Sequence, residues 1–147
     1  MKEYYTLVLN STNSVNRTGT APNFTYNINW DSVLPDKRYT KYKVNFSFNS
    51  LVVATPFTEI YTINVIFGTT NVYNQMPSQS AYIGCVHPYN TSATSYYAIA
   101  NINDNPDITI AYPSNRLITV SIGNANLASS TVNITDYILT LQFMPID

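Results

Sequence analysis

The sequence predicts an all-β chain, an antiparallel β-sandwich forming a single domain over residues 1–147. Two observations carry this expectation. Apolar and polar residues alternate strictly in several stretches, most clearly in "KYKVNFSFNS" from Lys41 to Ser50. There Tyr42, Val44, Phe46 and Phe48 fall on one face of a strand, and Lys41, Lys43, Asn45, Ser47 and Asn49 on the other. Turn-forming residues separate these stretches at short intervals, and only one segment suits a helical turn.

Taken in order, residues 4–10 read as a first strand, followed by a polar loop over 11–23 punctuated by Gly19 and Pro22. "FTYNINW" alternates next, with Phe24, Tyr26, Ile28 and Trp30 on one face. "DSVLPDKR" is the place for a helical turn, with Asp31 as its cap and Pro35 as its stop. The long alternating strand runs from Tyr39 to about Ala54 and is broken by Pro56. "EIYTINVIFG" follows as another strand, then the loop "TTNVYNQMPSQSA". Shorter strands fall around "YIGCV", "YYAIANI" and "DITIAY", and "RLITVSIGN" and "ITDYILTLQFMPI" complete the set. The expected core comprises Phe24, Ile28, Trp30, Val44, Phe46, Phe48, Leu139, Leu141 and Phe143.

Eight or nine strands of uneven length, with long connections over 11–23 and 69–81, favour an eight-stranded jelly roll. The alternative is an immunoglobulin-like sandwich, which is usually shorter, at about 100 residues and seven strands. The single cysteine, Cys85, leaves no partner for that fold's internal disulfide and no Cys-based zinc site.

Composition limits the function classes. Charged residues make up 10% of the chain against a usual ~25%, so Asn, Ser and Thr supply most surface polarity. A formal net charge of -1 gives no general attraction to nucleic acid as the main partner, or to membranes. Thirteen tyrosines suit strand faces and contact surfaces. Few charges also ease association between copies. No run approaches the ~20 apolar residues of a membrane span, and "MKEYYTLVLN" reads as a strand rather than a signal peptide. The six sequons, at Asn10, Asn16, Asn23, Asn45, Asn90 and Asn133, follow from the abundance of Asn, Ser and Thr.

Catalysis finds little support in the residues. His87 is the one histidine and stands two positions from Cys85, about 7 Å along a strand, too far for a direct hydrogen bond. Asp104 and Asp107 in "NDNPD" fit a turn and lack the spacing of an EF-hand calcium loop. No phosphate-binding glycine loop is present. The expectation is therefore a non-enzymatic protein without cofactor or metal. One cluster stands out as an interaction surface: Lys37, Arg38, Lys41 and Lys43, four of seven basic residues within seven positions. Against this stands a simpler role, a strand guarded by lysine against unwanted pairing.

The stretches "YYTLVLNSTNS", "FTYNINW", "KYKVNFSFNS", "NRLITVSIGN" and "DYILTLQFMPI" together resemble small single-jelly-roll structural proteins of protist-infecting large DNA viruses and virophages. The composition, rich in Asn, Tyr and Ile, is similar to that of such AT-rich viral genomes. The resemblance implies a virion component, a minor capsid or penton-like protein, made in the host cytoplasm. It implies as partners copies of itself and other capsid proteins, in a homo-oligomer such as a pentamer or trimer. It brings no catalytic residues. The alternative it leaves open is a fibre-head or lectin-like module that recognises a host receptor or glycan through tyrosines in "TTNVYNQ" and "HPYNTSATSYY".

Overall fold

A computed structural model describes residues 4–13, 15, 17–20, 23–50, 61–67, 72–73, 80–88, 98–99, 108–124 and 136–146. For residues 50, 61, 72–73, 80–88, 98–99 and 123–124 it describes the backbone alone. The strands are β1 (Tyr5–Asn10), β2 (Arg17–Thr20), β3 (Asn23–Asn27), β4 (Lys41–Ser50), β5 (Tyr61–Ile66) and β6 (Val72–Tyr73). They continue with β7 (Ser80–Pro88), β8 (Ala98–Ile99), β9 (Ile108–Ala111), β10 (Leu117–Asn124) and β11 (Tyr137–Ile146). One short helix, α1 (Trp30–Val33), interrupts them.

The described strands form two antiparallel sheets packed as a sandwich. The first has the order β1-β11-β4-β9, with β6 added beyond β9. The second has the order β3-β10-β5-β7, with β2 added beyond β3. Short β8 pairs with β4 at Asn49 and with β7 at His87 and Pro88, joining the two sheets at one corner.

The alternation in the sequence sets the register. Across the ten-residue β4–β11 ladder, Phe48 faces Leu139, Phe46 faces Leu141 and Val44 faces Phe143, while Ser47 faces Thr140, Asn45 faces Gln142 and Lys43 faces Met144. A slip of one residue would exchange these two sets between core and surface. All nine residues expected in the core are buried there. The second sheet contributes Ile63, Val65, Ile118, Val120 and Ile122 from β5 and β10, and Phe67 follows β5. Ring contacts fix the packing: Phe48 stacks on Tyr137 with centroids 5.4 Å apart, and Trp30 meets Phe143 edge-on at 5.9 Å.

Several local expectations are corrected. Asp31 is not the helix cap; it lies inside α1, whose N-cap is Asn29, without a capping side-chain bond. The helix is held instead by Trp30, whose Nε1 donates to the Asn115 carbonyl at 2.8 Å, and it stops before Pro35. The loop read over 11–23 contains β2, where Gly19 takes φ 104° opposite Phe24. A Cβ there would stand 2.7 Å from the Asn23 carbonyl, so the position requires glycine. The loop read over 69–81 contains β6 and the start of β7. Tyr26 and Tyr42, by contrast, are buried on the faces where the alternation sets them, and Tyr137 joins them in the core.

Candidate functional site

The basic cluster Lys37, Arg38, Lys41 and Lys43 is divided by the fold. Lys37 and Arg38 fall in the turn between α1 and β4, and Lys41 and Lys43 lie on the outward face of β4. In the turn both cations are matched by acids. Arg38 donates from Nε and Nη2 to the Asp36 carboxylate, at 3.0 and 2.6 Å, and its backbone N–H donates to the same group at 3.0 Å. These bonds hold the Asp36 carboxyl at about 2 and push the Arg38 guanidinium up.

Lys37 reaches across to the other side of α1. Its ammonium donates to Asp31 and to the Tyr112 hydroxyl, and that hydroxyl donates to Asp31 at 2.8 Å. The Lys37 bond, then the Tyr112 bond, lowers Asp31 below the ordinary carboxylate range, and the same contacts raise Lys37. The nitrogen lies 4.2 Å from the Tyr112 ring centroid while bonded to its oxygen, so it sits nearer the phenol oxygen than the ring centre. Beside this triad opens a cleft of about 360 Å³ between α1 and the 112–116 segment, with Asn29, Asn115 and Arg116 on its walls. Trp30 also borders it but is buried, so it offers no exposed ring for stacking.

The triad of Asp31, Lys37 and Tyr112 was not legible in the sequence, because 75 residues separate Lys37 from Tyr112. Asp31 lies in α1 and Lys37 in the turn that follows it, six residues on, but nothing local marks Tyr112 as their partner. The triad satisfies its own charges and hydrogen bonds, which makes it a brace between the turn before β4 and the segment after β9.

Lys41 and Lys43 take part in a broader surface. On the outward face of the first sheet, Lys43 faces Met144 on one side and Thr109 on the other, and Lys41 faces Ile146 and Ala111. Thr6, Val8 and Asn10 of β1 continue the face beyond Gln142, Thr140 and Ile138. Amide and hydroxyl side chains therefore mix with Val8, Ile138, Met144 and Ile146, and two cations stand at one end.

One further cation sits elsewhere. Nε and Nη1 of Arg17 on β2 are buried without a hydrogen-bond partner, and the guanidinium lies 4.0 Å from the Phe24 ring centroid. The ring face supplies part of the lost solvation.

Among the described residues, no group of three or more His, Cys, Asp or Glu is placed to hold a metal ion. Among the same residues no helix is long and apolar enough to cross a membrane. The side chains of Cys85 and His87, and all of Asp104, Asp107 and the loop "HPYNTSATSYY" from Tyr89 to Tyr97, lie outside the described residues. So do the side chains of the loop "TTNVYNQ". The sequence matches no protein-family model, and a search of curated proteins finds no match.

Proposed function

We propose that this chain is a non-enzymatic structural protein of a virus particle. It is a minor capsid, penton-like or capsid-associated subunit with the wiring of a single jelly roll. The observation that carries this reading is the order of the eight principal strands, β1, β3, β4, β5, β7, β9, β10 and β11. The first pairs with the last, the second with the seventh, the third with the sixth and the fourth with the fifth. Such nested pairing results when one long antiparallel hairpin rolls into two sheets, and double-sheet rolls of eight strands recur in capsid domains.

The composition supports the same reading. With few charges and a surface of amides, hydroxyls and scattered apolar groups, the chain acts by packing against copies of itself and other capsid proteins. It works in the virion, after synthesis in the host cytoplasm. Lys41 and Lys43 orient a neighbouring subunit rather than supply its affinity, because exposed ion pairs contribute only ~0–1 kcal/mol each.

Light scattering tests the proposal on the wild type and on a Lys41→Glu, Lys43→Glu double variant. The expected result is a pentamer or trimer whose assembly slows at high salt and slows further in the variant. A strict monomer at high concentration, with the variant indistinguishable from it, overturns the reading.

A further inference from the structure

The geometry points to the outer edge of β1 as a self-pairing surface, on which the β1 strand of a second copy adds antiparallel about a two-fold axis at Leu7. This rests on the self-associating reading above and adds a pairwise contact to it. Among the described residues, β1 pairs with β11 alone; at its other edge the Asn10 carbonyl accepts from the Asn13 N–H, and beyond β11 no described residue pairs with the backbone of Thr6 or Val8. Such an edge is a template for another strand unless it is guarded by charge, proline, a bulge or brevity. The other outer strands are guarded. β2 has four residues and carries Arg17 and the left-handed Gly19, and β6 has two residues. β7 pairs with a register shift opposite Ile63 and Asn64 and ends at Pro88. β1, "YTLVLN", carries no charge, proline or bulge over its six residues.

Exposed apolar side chains gather at the same edge. Four large hydrophobic residues are exposed among those described, and Tyr4 (57%), Val8 (56%) and Val15 (69%) belong to β1 or its flanks. Between β1 and β3 the sandwich flank opens into a cleft of about 170 Å³, with Leu7, Val15 and Ile28 on its walls. Asn10, Asn13 and Asn27 share those walls, so the cleft presents amide groups beside the apolar ones and has room for one side chain.

A second copy is the occupant that fits. A two-fold axis sets each strand against itself, and an uncharged strand is one that tolerates this without like-charge contact. With the axis at Leu7, inward residues meet inward residues and outward meet outward. Each Leu7 then lies at the mouth of its partner's cleft, and Thr6 of one copy stands opposite Val8 of the other. The two first sheets become one continuous sheet across the axis.

Sedimentation velocity on the full chain tests this with Thr6→Lys, Val8→Lys and Thr6→Glu, Val8→Glu double variants, both altered on the outward face. The pairing predicts that each variant alone loses at least about tenfold in association, since like charges now face each other across the axis. An equimolar mixture of the two should regain it. Amide exchange in wild-type β1 should slow as concentration rises. If the variants associate as the wild type does, or the mixture regains nothing, the edge is not the contact, and wild-type self-association then stands on other surfaces. A wild type that stays monomeric with concentration-independent exchange overturns both proposals.

Discussion

The hydroxyls of Tyr26 and Tyr137 share a hydrogen bond of 2.9 Å inside the sandwich. Tyr26 comes from β3 in the second sheet and Tyr137 from β11 in the first, so the bond ties the two layers together. Each buried hydroxyl is the answer to the other's desolvation. Replacing Tyr26 by Phe strands the Tyr137 oxygen and should cost about 1–3 kcal/mol. The double Phe variant should cost clearly less than the sum of the two single changes. Urea unfolding of the four chains measures this coupling, and simple additivity would show that the bond contributes nothing.

The same pair makes the fold sensitive to alkali. Burial is the largest cause of the raised ionisation of both hydroxyls. In the unfolded chain tyrosines lose their protons near ~10. Above that pH the unfolded chain binds fewer protons than the folded one, so stability falls as pH rises. Below it the contribution is fully present. Urea midpoints should therefore drop between pH 9 and 11, and drop less steeply in the double Phe variant. Equal slopes in the two chains would assign the alkaline loss to other groups.

Phe46 lies at the centre of the β4–β11 ladder, opposite Leu141, and is 2% exposed. Replacing it by Ala removes a ring from a packed core and should cost about 3–5 kcal/mol. Chemical denaturation gives the value directly. A loss below about 1 kcal/mol would mean that this face is not packed as described.

Asp36 offers a local probe of the turn before β4. Arg38 holds its carboxyl at about 2, first through side-chain hydrogen bonds and then through its backbone N–H. Because the folded value is depressed, the stabilising contact exists at neutral pH and is lost as pH falls through about 2. In Arg38→Ala the carboxyl should titrate nearer the ordinary aspartate range of ~3.9. Carboxyl NMR titration of both chains reads the shift, and an unchanged midpoint would exclude Arg38 as its cause.

The sequence by itself determined which residues enter the core. Alternation, strict over Lys41–Ser50 and broken by Ile138 alone over Tyr137–Phe143, favours burial of one face, because side chains on a strand point alternately to opposite sides. The short strands and turn residues likewise determined an antiparallel sandwich. Local pattern did not find β2 or β6, since "RTGT" and "VY" have no apolar period and are strands only because β3 and β9 offer them edges. The basic cluster was legible as a run of charge, but not its division. Distance along the chain carries no information about Tyr112 reaching Asp31 and Lys37, or about Tyr26 meeting Tyr137. Those partnerships were decided by the tertiary structure: the first follows from β9 pairing with β4 inside one sheet, where the Tyr112 N–H donates to the Thr40 carbonyl, and the second exists only once the two sheets are laid face to face.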